Sequence, residues 1–167
     1  MASSPPTPAP DRYAVIGHPI AHSRSPAIHA HFAAATGHAI DYGRIDAAPA
    51  DFERAVRGFF AQGGRGMNVT VPHKEAAAGL ADHLTDRARL AAAVNTLAQQ
   101  PDGTLLGDNT DGAGLMADLA RLGIGVRNAR VLVLGAGGAT RGILGPLLEA
   151  APASLTIANR TSERAQS

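Results

Sequence analysis

The strongest constraint on the fold is a run of apolar residues that leads directly into a run of glycines. Residues Arg130–Leu134 read RVLVL, and the glycine-rich residues 135–140 follow without a gap. Such an apolar run, rich in Val and Leu, is typical of a strand that is buried on both faces. The pattern beyond it predicts a helix to about Ala150 and a second strand at Ser154–Ala158. These segments together predict a βαβ unit with two parallel strands.

The chain before this unit alternates between short strands and helices. We predict strands at 13–16, 39–45 and 67–71, a hairpin of 95–99 and 104–106, and helices at 25–36, 51–62, 73–80, 86–92 and from 110 or 111 to 123. Ser25 is predicted to be the N-cap of the first helix, with Pro26 at the first helical position. The alternation predicts an α/β fold with three layers, in which a mostly parallel sheet lies between helices.

Composition excludes several classes of function. The 167 residues are 45% hydrophobic and 17% charged with a formal net charge of +1, which indicates no nucleic-acid partner and no anionic membrane surface. No apolar run approaches the roughly 20 residues of a membrane span, and the N-terminus lacks the pattern of a secretory signal. The absence of cysteine excludes disulfides and favours the cytoplasm. Four prolines in residues 1–10 predict a disordered tail.

The glycine-rich turn predicts a nucleotide site. Glycines between a buried strand and a helix let the backbone approach a pyrophosphate, which the helix N-terminus binds. The turn has no Lys-Ser/Thr pair and is therefore not an ATP-type loop. Its third Gly/Ala position is occupied by Thr140, and a turn that needs glycine for geometry alone is the alternative.

The end of the second strand predicts the choice of dinucleotide. NAD sites place Asp or Glu about 20 residues past the glycines, whereas this chain has Asn159, Arg160 and Thr161 there, with Arg164 further on and no acid before Glu163. A guanidinium suits a 2′-phosphate, so the predicted cofactor is NADP. The unit is then the first βαβ part of a Rossmann-type domain.

Lys74 is the only lysine among fifteen basic residues. Arginine cannot replace lysine where a compact, titratable ammonium is needed. Polar residues at other strand ends and helix starts are predicted to converge with it, because ligands of open α/β sheets bind at the carboxyl ends of strands: Ser23, Ser25, Thr70, Asn95 and Asp111. Such a set suits a small polyhydroxylated acid. Each member also has a structural alternative, such as capping by Ser25 or Asp111 and a turn contact by Asn95.

Six motifs, in order, resemble those of shikimate dehydrogenases. They are YAVIGHPIAHSRSP at 13–26, NVTVPHK at 68–74, AVNTL at 93–97, GDNTDG at 107–112, the glycine-rich turn at 135–140 and NRT at 159–161. The resemblance covers nearly all of residues 13–164. It implies a substrate domain at 11–110 and an incomplete NADP-binding domain at 111–167. It also implies an NADPH-dependent, reversible reduction of 3-dehydroshikimate to shikimate, in the biosynthesis of chorismate and aromatic amino acids.

The same resemblance implies a role for each site residue. Ser23 and Ser25 would bind the substrate carboxylate, and Thr70, Asn95 and Asp111 the ring hydroxyls. Lys74 and Asp111 would form the catalytic pair. The residues implied to bind the cofactor are Gly135, Ala136, Gly137, Gly138, Ala139, Asn159, Arg160, Thr161 and Arg164. No metal is expected, because His29 and His31 are two residues apart on a predicted helix and face different ways.

Family members continue with further strands and a C-terminal helix that returns to the substrate. A complete nucleotide domain has six strands, of which only two are predicted here, so strand 130–134 should keep an open apolar edge. We therefore expect weak or absent turnover, and a non-catalytic remnant that at most binds substrate is one alternative. A quinate/shikimate dehydrogenase is another, and a homodimer is left open.

Overall fold

The computed structural model describes residues 9–161 and places the first part of the chain in a six-stranded sheet. Its strands are β1 (Asp11–Gly17), β2 (Ile40–Asp46), β3 (Gly64–Val69), β4 (His83–Leu84), β5 (Thr96–Gln99) and β6 (Leu105–Asp108). They lie in the order β2-β1-β3-β5-β6-β4. β1 is parallel to β2 and β3, and β4 is parallel to β6, whereas β5 is antiparallel to both of its neighbours. The predicted mixed α/β fold with a mostly parallel sheet is confirmed.

Within residues 9–161, six α-helices accompany the strands. They are α1 (Ser25–Thr36), α2 (Phe52–Ala61), α3 (Lys74–Leu80), α4 (Asp86–Ala91), α5 (Asp111–Arg121) and α6 (Gly138–Glu149). The core lies where α2 meets the sheet, because the amphipathic sequence of α2 buries Phe52, Val56, Phe59 and Phe60. These side chains join Ile16, Met67, Val69 and Leu97 of the strands. By contrast, α1 contacts β1 and β2 but has no buried residue. None of the helices in the described part of the chain is long and apolar enough to span a membrane.

Two local predictions are wrong. Arg24, not Ser25, occupies the N-cap position of α1, because the helix already begins at Ser25. The Ser25 N–H instead donates to the hydroxyl of Ser23 at 3.3 Å. Strand β3 starts at Gly64 rather than residue 67, because Gly64 and Gly66 already pair with β1. The Phe59 ring occupies the space where a side chain at Gly64 would lie. A glycine that resembles a loop residue is therefore required inside a strand.

The second sheet consists of β7 (Arg130–Leu134) and β8 (Ser154–Ala158), which pair in parallel as predicted. The prediction that β7 is buried on both faces is wrong. Val131 and Val133 are half-buried, whereas Leu132 and Leu134 are 61% and 78% exposed. This alternation is what a strand shows when one face of its sheet is covered. Among the described residues, β7 pairs with β8 alone, so its other edge is open as expected.

Glycines bring the two sheets together. A Cβ built on Gly112 of α5 would lie 2.5 Å from the backbone oxygen of Gly142 in α6, and a Cβ on Gly142 would lie 2.6 Å from Asn109 Oδ1. Only glycine allows helices to approach this closely. The contact holds the start of α6 beside α3. Residues 110 and 111 lie inside this packed region, so a domain boundary there stays a prediction. Residues 1–8 and 162–167, including most of the predicted tail and Arg164, lie outside the described residues.

Candidate active site

Lys74 and Asp111 form an ion pair where α3 and α5 begin. Lys74 Nζ lies 2.5 Å from Asp111 Oδ2, and the side chains are 11% and 23% exposed. The N–H of Val94 donates to the Lys74 carbonyl at 2.8 Å, which fixes the start of α3 against the loop before β5. Hydrogen bonds between two charged groups are roughly twice as strong as neutral ones. The predicted catalytic pair is thus assembled from residues 37 positions apart.

Asn95 holds the other oxygen of the Asp111 carboxylate. Asn95 Nδ2 donates to Asp111 Oδ1 at 2.9 Å. The backbone N–H of Thr110 donates to Asn95 Oδ1 at 3.1 Å, and the N–H of Asp111 donates to Asn109 Oδ1 at 3.1 Å. Both oxygens of Asp111 therefore accept hydrogen bonds, which is the pattern of an ionised carboxylate.

His73 anchors the start of α3 next to Lys74, although no role was predicted for it. Its ring is 1% exposed and stacks on Phe52 with 4.5 Å between ring centroids. Nε2 donates to the carbonyl of Ala47 at 2.8 Å, because a carbonyl oxygen can only accept a hydrogen bond. The ring ties the start of α3 to the segment after β2. Its place next to Lys74 in the 68–74 motif was the only signal for it.

The two predicted carboxylate ligands, Ser23 and Ser25, lie side by side. Their hydroxyl oxygens are 3.2 Å apart. The Arg44 guanidinium donates to the Ser23 carbonyl from Nε at 3.1 Å and from Nη2 at 2.6 Å, which holds this loop against β2. Thr70 lies at the carboxyl end of β3, where its N–H donates to the Ile16 carbonyl. The Thr70 hydroxyl has no hydrogen-bond partner within residues 9–161.

A line of polar side chains connects the serine pair to the ion pair. Tyr42 donates its hydroxyl to Asn68 Oδ1 at 2.6 Å. Asn68 Nδ2 lies 3.4 Å from the Thr96 hydroxyl, which donates to Asn95 Oδ1 at 2.9 Å. Burial raises the pKa of Tyr42 to about 12, against the opposing effect of the nearby Ser25 hydroxyl. Tyr42, Asn68 and Thr96 were not predicted as site residues, although Asn68 and Thr96 lie within two of the six motifs.

The glycine-rich turn has the geometry that a nucleotide phosphate needs. Gly135 has φ +108°, a conformation that favours glycine, and its N–H donates to the Ala158 carbonyl at 2.8 Å. Gly137 is the N-cap of α6 and has no side chain to cover the free N–H groups of the first turn. Thr140, which departs from the usual pattern, donates its hydroxyl to the Gly135 carbonyl at 2.9 Å and closes the turn from within.

This turn lies directly over Lys74. A Cβ built on Gly138 would be 3.0 Å from the Cβ of Lys74. A cleft of about 170 Å³ separates the turn from the start of α3 and is lined by Val71, Pro72, Lys74, Glu75, Gly137, Gly138 and Ala139. The predicted cofactor turn and the predicted catalytic lysine therefore share one cleft.

The segment after β8 lies at the same edge of its sheet. Leu134 and Ala158 are register partners, so Asn159 follows beside Gly135. Asn159 Nδ2 donates to the Thr161 carbonyl at 2.7 Å, which turns the chain at this point. Arg160 is exposed and forms no ion pair within the described part of the chain.

Comparison with known proteins identifies the family. The family model for the shikimate dehydrogenase substrate binding domain matches residues 15–97, and the model for shikimate / quinate 5-dehydrogenase matches residues 117–167. The chain belongs to the shikimate dehydrogenase family. Shikimate dehydrogenase (NADP(+)) of Aeromonas hydrophila is 56% identical over 93% of this chain and 57% of its own length. The enzyme of Thioalkalivibrio sulfidiphilus is 59% identical over 93% and 58%.

Solved structures of shikimate dehydrogenases have the same fold. The structure from Aquifex aeolicus matches with a TM-score of 0.88 at 36% identity, over 94% of this chain and 58% of that one. The enzyme from Thermus thermophilus, solved in complex with NADP(H) and shikimate, matches with a TM-score of 0.85 at 38% identity, over 93% and 58%. The chain thus spans slightly more than half the length of the shikimate dehydrogenases it matches.

Proposed function

We propose that this site is that of an NADP-dependent shikimate dehydrogenase, which reversibly reduces 3-dehydroshikimate to shikimate. The observation that carries the proposal is the 2.5 Å contact between Lys74 Nζ and Asp111 Oδ2, next to the cleft that Lys74 shares with Gly137 and Gly138. An ammonium and a carboxylate that meet beside a nucleotide turn suit a reaction that moves a proton and a hydride at one carbonyl group. The relatives named NADP(+)-dependent support the choice of cofactor.

The substrate would be held by hydroxyls and amides of the first sheet. The adjacent hydroxyls of Ser23 and Ser25 can both donate to a carboxylate. The free hydroxyl of Thr70, together with Asn95 and Asp111, suits ring hydroxyl groups. The related enzyme solved with shikimate supports this substrate class. These assignments place the acidic end of the substrate at the loop before α1 and its reacting carbon towards Lys74.

Lys74 would act on the oxygen of the reacting carbonyl. That oxygen gains negative charge during reduction, and an ammonium already held in place stabilises the charge without reorganisation. Nζ can also deliver the proton that the oxygen requires, while Asp111 keeps the ammonium oriented. In the reverse direction the same pair accepts the hydroxyl proton. Which of the two groups transfers the proton stays open.

The cofactor residues fit NADP. Residues 135–139 offer backbone N–H groups at a helix N-terminus, which suits a pyrophosphate, and the exposed Arg160 suits a 2′-phosphate, with Asn159 and Thr161 shaping the loop. Arg164 is proposed to join Arg160. When bound, NADPH supplies the hydride. The missing side chain at Gly138 lets the turn that would hold the cofactor pack against Lys74.

The test is oxidation of shikimate by the purified 167-residue chain, followed through formation of NADPH. We expect NADPH formation that Lys74→Gln abolishes. Binding of shikimate should be measured by calorimetry in parallel. Absence of both turnover and shikimate binding would refute the proposal for this chain.

A second candidate is a protein that binds substrate but does not turn it over. Binding of shikimate with no NADPH formation would identify it. Quinate is the alternative substrate, and oxidation of quinate at a rate comparable to shikimate would assign the broader specificity. A cytoplasmic location, a metal-free site and a homodimer also stay predictions.

A further inference from the structure

We infer that Thr96 and Tyr42 are positioning residues of this site, which fix the orientation of the Asn95 and Asn68 side-chain amides. Neither residue touches Lys74 or Asp111. They act through the two asparagines, each of which has one end that donates and one end that accepts hydrogen bonds. The role of these two residues in substrate binding rests on the proposed function. The orientation of the two amides is a property of the protein without substrate and can be tested there.

The orientation begins at the backbone of Thr110. An N–H group can only donate, and that of Thr110 lies 3.1 Å from Asn95 Oδ1. The NH₂ group of Asn95 must therefore lie at the other end, 2.9 Å from Asp111 Oδ1. A carboxylate oxygen can only accept, so it agrees with this orientation.

The Thr96 hydroxyl transmits this choice to the next asparagine. It lies 2.9 Å from Asn95 Oδ1, which can only accept, and therefore donates its single proton to that oxygen. Its lone pairs then face Asn68 at 3.4 Å, which requires the NH₂ end of Asn68 on that side. Asn68 Oδ1 consequently faces Tyr42, and the phenol 2.6 Å away must be the donor.

The surroundings of Tyr42 suit a fixed donor. The Tyr42 ring stacks on His29 with 4.0 Å between centroids and 15° between planes. The His29 ring is held in place by Nδ1, which donates to the Ser25 carbonyl at 2.9 Å. Burial raises the pKa of Tyr42 to about 12, so the phenol keeps its proton at neutral pH. A phenolate here would face the Asn68 carbonyl oxygen with no proton between them.

The consequence is a rule for the substrate. Both N–H groups of Asn95 are already used, by Asp111 Oδ1 and by the Thr110 hydroxyl at 2.9 Å each. A ring hydroxyl that reaches the Asn68 amide meets its NH₂ end and must use its oxygen as the acceptor. Its own proton is left for an acceptor such as the Asp111 carboxylate. Reversal of the Asn68 amide would present a carbonyl to that hydroxyl and would compete for the same proton.

The first test uses nuclear magnetic resonance of the side-chain amides in the free 167-residue protein. Thr96→Val keeps the shape of the side chain and removes the hydroxyl, whereas Thr96→Ser keeps the hydroxyl. Loss of one hydrogen bond predicts roughly tenfold faster exchange of the Asn68 amide protons with water in Thr96→Val and in Tyr42→Phe. Thr96→Ser should stay within about twofold of the parent by the same reasoning. Unchanged Asn68 and Asn95 signals in Thr96→Val would overturn the inference.

The second test measures shikimate affinity of the same proteins. Thr96→Val should bind shikimate roughly tenfold more weakly, and Thr96→Ser should restore binding. Equal weakening in both variants would mean a packing role for Thr96 and would also overturn the inference. If the parent protein binds no shikimate, the proposed function fails, and the amide signals alone then decide the orientation.

Discussion

Gly138 lies against Lys74, with only 3.0 Å between the Lys74 Cβ and the position that a Cβ on Gly138 would take. This contact joins the two parts of the chain at the point where the proposed chemistry occurs. The Lys74 Cβ is attached to the helix backbone and cannot swing aside. The absence of a side chain at residue 138 therefore determines how close the nucleotide turn comes to the ammonium.

A methyl group at this position should be costly. We expect Gly138→Ala to lower the free energy of unfolding by about 1 kcal/mol or more, because Lys74 or α6 must move to admit it. Gly79→Ala is the matched control: Gly79 lies within α3 with open space around its Cβ position, so this change should raise stability by roughly 0.5–1 kcal/mol. Urea unfolding of both variants checks the pair. Stabilisation by both would contradict the close contact.

A conservative change at Lys74 should still remove activity. Lys74→Arg keeps the positive charge, but the planar guanidinium does not fit the place of an ammonium that contacts Asp111 at 2.5 Å. Since positioned acid–base groups contribute about 10²–10⁴-fold, we expect at least a hundredfold slower NADP-dependent oxidation of shikimate. Circular dichroism should show retained folding. Near-normal turnover would rule out a specific role for the ammonium.

Two substitutions of His73 should distinguish the contribution of ring stacking to stability from that of the hydrogen bond. His73→Phe keeps a ring on Phe52 but leaves the Ala47 carbonyl without its donor, which should cost about 1–3 kcal/mol. His73→Ala also leaves a cavity and should cost more, about 3–5 kcal/mol by analogy with other buried aromatic rings. Urea unfolding gives both values. Equal losses in the two variants would mean that the stacked ring contributes nothing.

Protonation of Asp108 at acidic pH should lower the free energy of unfolding. The Arg87 guanidinium, with the Thr85 hydroxyl and the Asn109 N–H, lowers the pKa of Asp108 from 3.8 to about 2 against the effect of burial. A carboxyl whose folded pKa is lowered stabilises the fold above the unfolded pKa and loses that effect as pH falls through the folded value. The loss should therefore occur as the pH falls from the unfolded pKa of 3.8 to the folded pKa of about 2. Its size should be about 1 kcal/mol, because the Arg87 side chain is half-exposed and screened by solvent.

Asp108→Asn should remove that part of the pH dependence. The measurement is urea unfolding at several pH values, compared with Asp102→Asn on the exposed turn. The pKa of Asp102 is also lowered, first by the Thr104 hydroxyl, but no guanidinium contributes there. A parent and an Asp108→Asn variant with parallel stability curves in that acidic range would contradict the role of Arg87.

The positions of helices and strands could be predicted from the sequence better than the burial and capping of these elements. The predicted helix at 51–62 contains α2, and the predicted end of the first helix at residue 36 agrees with α1. The burial of β7 could not be predicted, because apolar composition does not state how many faces of a sheet are covered. Likewise, the cap at Ser25 failed because the helix begins one residue earlier than predicted, at Ser25 itself.

The site was predicted through residues that lie in recognisable motifs. Lys74, Asn95 and Asp111 meet as expected, and the glycine-rich turn lies beside them. Tyr42 and Thr96 were missed because their meaning depends on strand register: β2, β3 and β5 are separated in sequence. An isolated Tyr or Thr in a strand gives no signal of such contacts.

The backbone contact between Gly112 and Gly142 has a mechanical consequence. Asp111 immediately precedes Gly112, so its carboxylate is carried by the α5–α6 pair, whereas Lys74 is carried by the first sheet. Rotation of one part against the other would therefore change the distance between Lys74 Nζ and Asp111 Oδ2. Lys74 and Asp111, the proposed catalytic pair, lie on opposite sides of the contact between the two parts, so the distance between Nζ and Oδ2 reports whether that contact is closed.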